Sequence, residues 1–300
     1  MASLVPTLHA HLQRADRLLA DGRASQARQA FESLLSLAQE RSDRAMEVLV
    51  RSTLARLALQ RHAVDEARDL LAAAARLLDP HHQASHRRYR AALARLAVAE
   101  GPAAVARTEV EAYLRWAEGE GMAGEVMDAA LLLVPLVSAN DAVSWLQRAI
   151  DHGLAADASE RLGEAHVVLA GVLEGLGELG EALSAYASAL HWHQVHGRPR
   201  DVVAAGWAVG SLAARLDDEP RARDALHEAR QVAATADDCD DLLALVLADL
   251  ASVEAAAGDV VEARRLVLEA LRLARDAQLP ALWPARWSAL QAQARGLEIL

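Results

Sequence analysis

The chain contains no lysine; all 31 of its basic residues are arginine. That absence removes the lysine-bearing phosphate loop, Schiff-base chemistry and lysine general bases from consideration. Aromatic residues are scarce, at 3% of 300 positions, while alanine, leucine, valine and arginine dominate, a composition that favours helix over strand. One cysteine, Cys239, cannot form an internal disulfide, which fits a reducing compartment. No stretch approaches the roughly 18 apolar residues of a membrane span. The opening MASLVPTLHAHLQRADRLL lacks the basic and unbroken apolar regions of a secretory signal, so the expected location is the cytoplasm.

Cations are also in deficit, with a net charge of −11. Binding by phosphate neutralisation needs a surplus of them, so general nucleic-acid and anionic-membrane binding are excluded as expectations. The deficit is uneven: residues 1–120 carry 17 Arg against 15 acids, and residues 121–300 carry 14 against 27.

What the chain does have is a repeat. Ala27, Ala67, Ala106, Ala142, Ala182, Ala222 and Ala263 recur at spacings of 40, 39, 36, 40, 40 and 41. Four residues after them stand Phe31, Leu71, Val110, Leu146, Tyr186, Leu226 and Val267, and three further on Leu34, Ala74, Tyr113, Ala149, Ala189, Ala229 and Ala270. Offsets of four and three define one face of an α-helix. Each such helix follows another apolar-periodic one, as in MEVLVRSTLARLAL and LLALVLADLASVEAAA. Gly22, Gly101, Gly177 and Gly258 stand five residues before their markers, at turns where a helix-ending residue often takes positive φ.

This context decides the meaning of Gly175, Gly177 and Gly180, which match the dinucleotide fingerprint G-x-G-x-x-G, with Asp201 as an acid further on. Such a loop must follow a strand and open a helix, and here helical repeats run on both sides. Gly177 is instead the turn of a helical hairpin, and no cofactor is expected.

The small alanine and large apolar residue after a glycine turn, clearest in LGELGEALSAYASAL, resemble the tetratricopeptide repeat family across about residues 5–275. The first helices lack the family's usual Trp and Tyr, a closing proline survives only near Pro80, and the period is about 40 against the usual 34. Longer periods resemble the MalT-like and kinesin-light-chain variants. The resemblance implies an all-α solenoid: about seven antiparallel helix pairs in a right-handed superhelix, one array over residues 1–300, capped by a helix around Trp283 to Leu300. The 36-residue step falls where Gly119, Gly121 and Gly124 precede Pro135. Residues 117–140 read either as a flexure between half-arrays 1–116 and 141–300 or as a remodelled repeat without motion, with the fourth pair distorted by the proline.

In this family the first helix of each pair lines the concave groove, which places Asp16, Arg56, Arg88, Arg95, Glu174, Trp207, Ser211, Arg215 and Ser252 near it. Arg56, Arg88 and Arg95 form a candidate arginine ladder for an acidic protein or peptide segment. Family members that clamp a chaperone's C-terminal carboxylate use lysine and asparagine, and here lysine is absent and the only asparagine, Asn140, lies in a turn.

Other clusters read as structural. His82 with His86 and His193 with His196 are spaced to chelate, but neither pair has a third ligand nearby, so no metal is expected. TADDCDDLL reads as a solvated loop with an N-capping Asp. Trp116 and Trp192 belong to a mostly apolar column with Leu37, Leu77, His152, Val232 and Leu273, expected to pack on the next repeat. Trp283 and Trp287 are expected to cap the last core, with an exposed aromatic docking point as the alternative, and Trp207 is open to a core or a groove role. No nucleophile elbow, H-E-x-x-H or paired-cysteine motif occurs. The leading expectation is a non-catalytic scaffold or adaptor, and its alternative is a ligand- or signal-peptide-sensing module of a transcription factor or signalling ATPase.

Overall fold

The computed structural model describes residues 7–79, 81–156 and 161–299, so the Pro80 expectation lies outside it. Every regular element among the described residues is helical. The chain divides into two compact units, residues 1–138 and 139–300. The first holds α1 (Leu8–Ala20), α2 (Ala24–Glu40), α3 (Arg44–Gln60), α4 (Val64–Ala75), α5 (Gln83–Glu100), α6 (Ala103–Gly119), α7 (Ala123–Leu133) and a 3-10 turn, Val134–Leu136. The second holds α8 (Ala139–Ala155), α9 (Leu162–Leu176), α10 (Leu179–His196), α11 (Pro199–Arg215), α12 (Glu219–Ala233), α13 (Asp240–Ala256), α14 (Val260–Asp276), α15 (Leu279–Leu282) and α16 (Pro284–Gly296).

The second helices carry the repeat. All seven marker alanines are buried, as are all seven residues at offset seven and six of the seven at offset four. The exception is Tyr186, which is half-buried. The column that continues this face lies 11 residues after the marker: Ala38, Ala117, Gly153, Ala233 and Ala274 are all buried. At about 100° per residue, an offset of 11 returns close to the marker's direction, whereas 10 falls about 80° away. Trp116 and Trp192 stand at offset 10 and are half-buried rather than in the core. Trp116 is edge-on to His86 and has Arg90 5.5 Å from its ring centroid, both on α5 of its own pair; Trp192 stacks on His196 of its own helix.

Three-residue turns join several helices, with a left-handed residue just before the next N-cap. Gly22, Gly177 and Gly258 have φ of 74°, 85° and 89° as the repeat predicts. Gly101 does not. Its φ is −101° and ψ 165°, because Pro102 follows and drives the preceding residue to extended backbone. The equivalent turns before Ala67 and Ala222 place His62 at φ 59° and Asp217 at φ 57°. A side chain in that region costs about 1–2 kcal/mol, against which glycine carries its own entropic cost of about 0.5–1 kcal/mol. His62→Gly and Asp217→Gly should therefore each stabilise the fold by up to about 1 kcal/mol. Urea titration checks this, and a loss of stability in both would refute it.

Pro135 ends α7 rather than bending it, and α7 has 11 residues where α3, α11 and α13 have 17. The capping segment is a short helix followed by α16, and its buried residues are Leu279, Leu290 and Ala294. Trp283 is 39% exposed and Trp287 is half-buried, so Trp283 is not sealed into the last core. TADDCDDLL also departs from expectation: Cys239 is the N-cap of α13, and Asp241 is buried where it accepts two bonds from Arg200 of α11, at 2.6 and 2.7 Å.

Candidate functional site

In the first unit the candidate residues meet on the first helices of successive pairs. Arg88 on α5 donates to both oxygens of Asp16 on α1, at 2.9 and 3.2 Å, and to Thr53 Oγ1 on α3, at 2.9 Å. Arg88 thereby ties together side chains of α1, α3 and α5 on one face of the unit. Arg95, two turns along α5, pairs with Asp128 on α7 and donates to the Ala91 carbonyl at 3.0 Å. Asp128 is buried, and the Tyr113 hydroxyl lies 3.5 Å from it. Arg56 on α3 is half-buried within this group. Burial first, then the charges of Arg95 and Arg88, hold its pKa below the ordinary arginine value, opposed by Asp128 and Asp16.

The second unit repeats the arrangement with different chemistry. Arg215 on α11 pairs with Glu174 on α9, and the Tyr186 hydroxyl donates to Glu174 Oε2 at 3.3 Å. Trp207 on α11 is half-buried, with Nε1 donating to Asp249 Oδ2 on α13 at 2.8 Å. Arg286 of α16 lies 4.9 Å from its ring centroid, and Trp283 meets it edge-on at 6.4 Å. Trp207 is thus partly exposed, with a polar partner for its indole N–H. Ser252 on α13 accepts from Gln293 Nε2 at 3.0 Å. Ser211 lies one turn beyond Trp207 on α11 and is half-buried.

Between α9 and α11 runs a cavity of about 560 Å³, walled by Val167, Val168, Ala204 and Ala208, with Tyr186 and His193 of α10 also lining it. Position 193 belongs to the small-residue column, and Gly163 opposite makes room for the ring: a Cβ there would lie 2.6 Å from His193 Cε1. Burial lowers the His193 pKa, although Asp201 and Glu164 act the other way. The repeat missed this cavity because it is built on first helices, whose periodicity the marker columns do not track. Tyr186 was the available signal, as a polar aromatic in an otherwise aliphatic column.

Burial, reinforced by the Glu174 carboxylate, pushes the Tyr186 hydroxyl up to about 12. An acid whose folded pKa exceeds its unfolded value, about 10, costs stability as pH rises between the two values. Ultraviolet titration should show a phenol ionising near 12 that disappears in Tyr186→Phe. Persistence of that component in the variant would refute the assignment.

The histidines expected to be structural have other partners. His82 caps α5 by accepting from Ser85 N, and His86 accepts from Arg90 Nε at 3.2 Å. No group of three or more metal-holding side chains occurs among the described residues. No helix there is long and apolar enough to cross a membrane.

Neither a protein-family model nor a curated protein matches the sequence. Solved structures do match. A Signal Transduction ATPase with Numerous Domains protein with a tetratricopeptide repeat sensor, from Pyrococcus horikoshii, superposes with a TM-score of 0.71 at 15% identity over 93% of this chain. The fold is that of the tetratricopeptide repeat. This chain spans 44% of that protein's length. Apo RapI gives a TM-score of 0.70 at 12% identity, covering 97% of this chain and 86% of its own. The apo quorum sensor NprR from B. thuringiensis gives 0.57 at 12%, covering 95% and 87%. In tetratricopeptide terms α1, α3, α5, α7, α9, α11 and α13 are the first helices, and all nine candidate residues lie on them.

Proposed function

We propose that the protein is a non-catalytic scaffold that binds a protein or peptide segment along the inner faces of its first helices. The observation that carries this reading is the continuity of those faces within each unit. Side chains of α1, α3, α5 and α7 join in one, and side chains of α9, α11, α13 and α16 join in the other. Both present half-exposed polar groups, and the second adds an open trough lined by Val167, Val168, Ala204 and Ala208 together with Glu164, Arg198 and Asp201, of a size that admits side chains of an extended segment. The carboxylates of these faces, Asp16, Asp128, Glu174 and Asp249, are each engaged by arginine or tryptophan donors.

The test is to pan a random-peptide library against the purified chain and map binding by amide hydrogen exchange. Protection in α3 and α5, or in α9 and α11, supports the reading. Failure to enrich any peptide, or protection confined to α2, α4, α10 and α12, rejects it.

A second reading, the sensing module of a larger regulator or signalling ATPase, is supported by the sensor proteins among the structural neighbours and by the fraction of the ATPase that this chain spans. On this reading a bound effector acts through residues 117–140, where Gly121 (φ 67°) and Pro135 interrupt the repeat. Small-angle scattering with and without an enriched peptide tests it: a saturable change in radius of gyration supports it, and identical curves count against it.

A further inference from the structure

Side chains of α11, α13 and α16 meet in the second unit as the surroundings of a cation. Trp207 on α11 and Trp283, the N-cap of α16, have ring planes 83° apart and centroids 6.4 Å from each other, so their indoles form a corner. Asp249 on α13 closes it, and the Trp207 indole N–H donates to its Oδ2 at 2.8 Å. Indole faces beside a carboxylate attract a cation through the ring quadrupole and the full charge together. The corner has an occupant from the chain itself, the Arg286 guanidinium, 4.9 Å from the Trp207 ring centroid. That occupant is loosely held. Its Nη1 lies 3.9 Å from Asp249 Oδ1, beyond hydrogen-bond reach, and the guanidinium donates no hydrogen bond among the described residues. Asp249 Oδ1 accepts none there either. Arg200 and Arg223 of the same unit, by contrast, close on Asp241 at 2.6 and 2.7 Å and on Glu254 at 2.9 and 3.3 Å. The Arg286 side chain is 44% exposed, and a cavity of about 110 Å³ is lined by Arg286 and Asp249 together.

We propose that Trp207, Trp283 and Asp249 form a binding site for an arginine side chain of a partner segment, and that Arg286 fills this site as an intramolecular stand-in until the partner's arginine displaces it. The proposal rests on the peptide-binding reading and names the side chain that the second unit takes. A guanidinium suits the corner better than an ammonium: it stacks flat on an indole, is weakly hydrated, and keeps its edge N–H groups for the carboxylate. Displacing Arg286 costs the fold little, because no hydrogen bond is lost and α16 stays anchored by buried Leu290 and Ala294. The incoming arginine gains the bond to Asp249 Oδ1 that Arg286 does not make. Charge favours its arrival, since residues 121–300 carry 14 Arg against 27 acids.

The experiment uses the full chain labelled with 15N-tryptophan, with the Trp207 indole N–H resonance assigned by Trp207→Phe. The probes, titrated at low salt, are N-acetyl-arginine N-methylamide, its lysine counterpart, and its citrulline counterpart, which has arginine's shape without the charge. The arginine probe should shift Trp207 saturably. It should bind Arg286→Ala about tenfold more tightly than the unaltered chain, because a tethered competitor at millimolar effective concentration is then gone. Arg286→Met keeps an apolar stem on the ring, removes the charge, and should give the same gain; it stands in should Arg286→Ala lose amide protection in α16. Adding Asp249→Asn to either variant should weaken the arginine probe about threefold, since the amide oxygen still accepts from Trp207 while the charge is lost. The proposal falls if Trp207 shifts saturably in none of these proteins or if the unaltered chain binds the arginine probe as tightly as both Arg286 variants. It also falls if the lysine or citrulline probe binds as tightly as the arginine one. Enriched library peptides together with a silent Trp207 would remove the arginine site and leave the scaffold reading standing. A saturable arginine shift with no peptide enriched would do the reverse.

Discussion

Replacing Asp128 with alanine should destabilise residues 1–138 by about 3 kcal/mol, the range expected when one partner of a buried ion pair is removed. Asp128 is 5% exposed and the Arg95 side chain 23%, so water cannot replace the lost carboxylate fully. Arg95 would keep only its bond to the Ala91 carbonyl, in a neighbourhood that already contains Arg56 and Arg88. Asp16→Ala is the contrasting case. Its side chain is 38% exposed, and Arg88 retains Thr53, so the expected loss is about 1 kcal/mol or less. Because arrays unfold in segments, the readout is amide exchange in α5 and α7 alongside urea titration. Adding Arg95→Met to Asp128→Ala should recover most of the loss, since the unpaired charge is then gone. Equal losses for the Asp128 and Asp16 variants would contradict the buried-pair account.

How much of this was legible in the sequence depends on range. The marker, offset-four and offset-seven columns are local, set by helix geometry, and the positions they name are buried in the structure at every repeat except Tyr186. The assignment of Asp16, Arg56, Arg88 and Arg95 to first helices was legible for the same reason. Their pairing was not. Arg88 and Asp16 are 72 residues apart, and no spacing rule says which arginine of three will be left without a carboxylate. Asp241 misled for the same reason: four aspartates around a cysteine look solvated until Arg200 arrives from 41 residues away. The tryptophans failed on register, since one position along a helix turns a side chain by about 100°.

Glycines separate these two levels most sharply, and Gly210→Ala should lower the stability of residues 139–300 by about 1–3 kcal/mol, the usual cost of overpacking. Gly210 lies on α11, and a Cβ there would stand 2.5 Å from Leu226 Cγ, 2.8 Å from Leu226 Cδ2 and 3.2 Å from the Ala222 carbonyl oxygen. Leu226 is fully buried at the repeat's offset-four position and Ala222 is a marker, so neither has room to withdraw. The close approach of α11 and α12 therefore requires the missing side chain. Gly171, in the interior of α9, and Gly175, in its last turn, have nothing within 4 Å of an added Cβ. There the same substitution should stabilise by about 0.5–1 kcal/mol through helix propensity alone. Thermal or urea unfolding of the three single variants measures both signs. A Gly210→Ala protein as stable as Gly171→Ala would mean that the α11–α12 contact has slack the structure does not show. Gly175 carries a second consequence, because it belongs to the G-x-G-x-x-G string. In a dinucleotide loop the first glycine makes the tight turn, so alanine there would strain and destabilise the fold, whereas in the last turn of a helix facing open space it does not. The stability of Gly175→Ala thus distinguishes, in one measurement, a helical hairpin from a phosphate cradle.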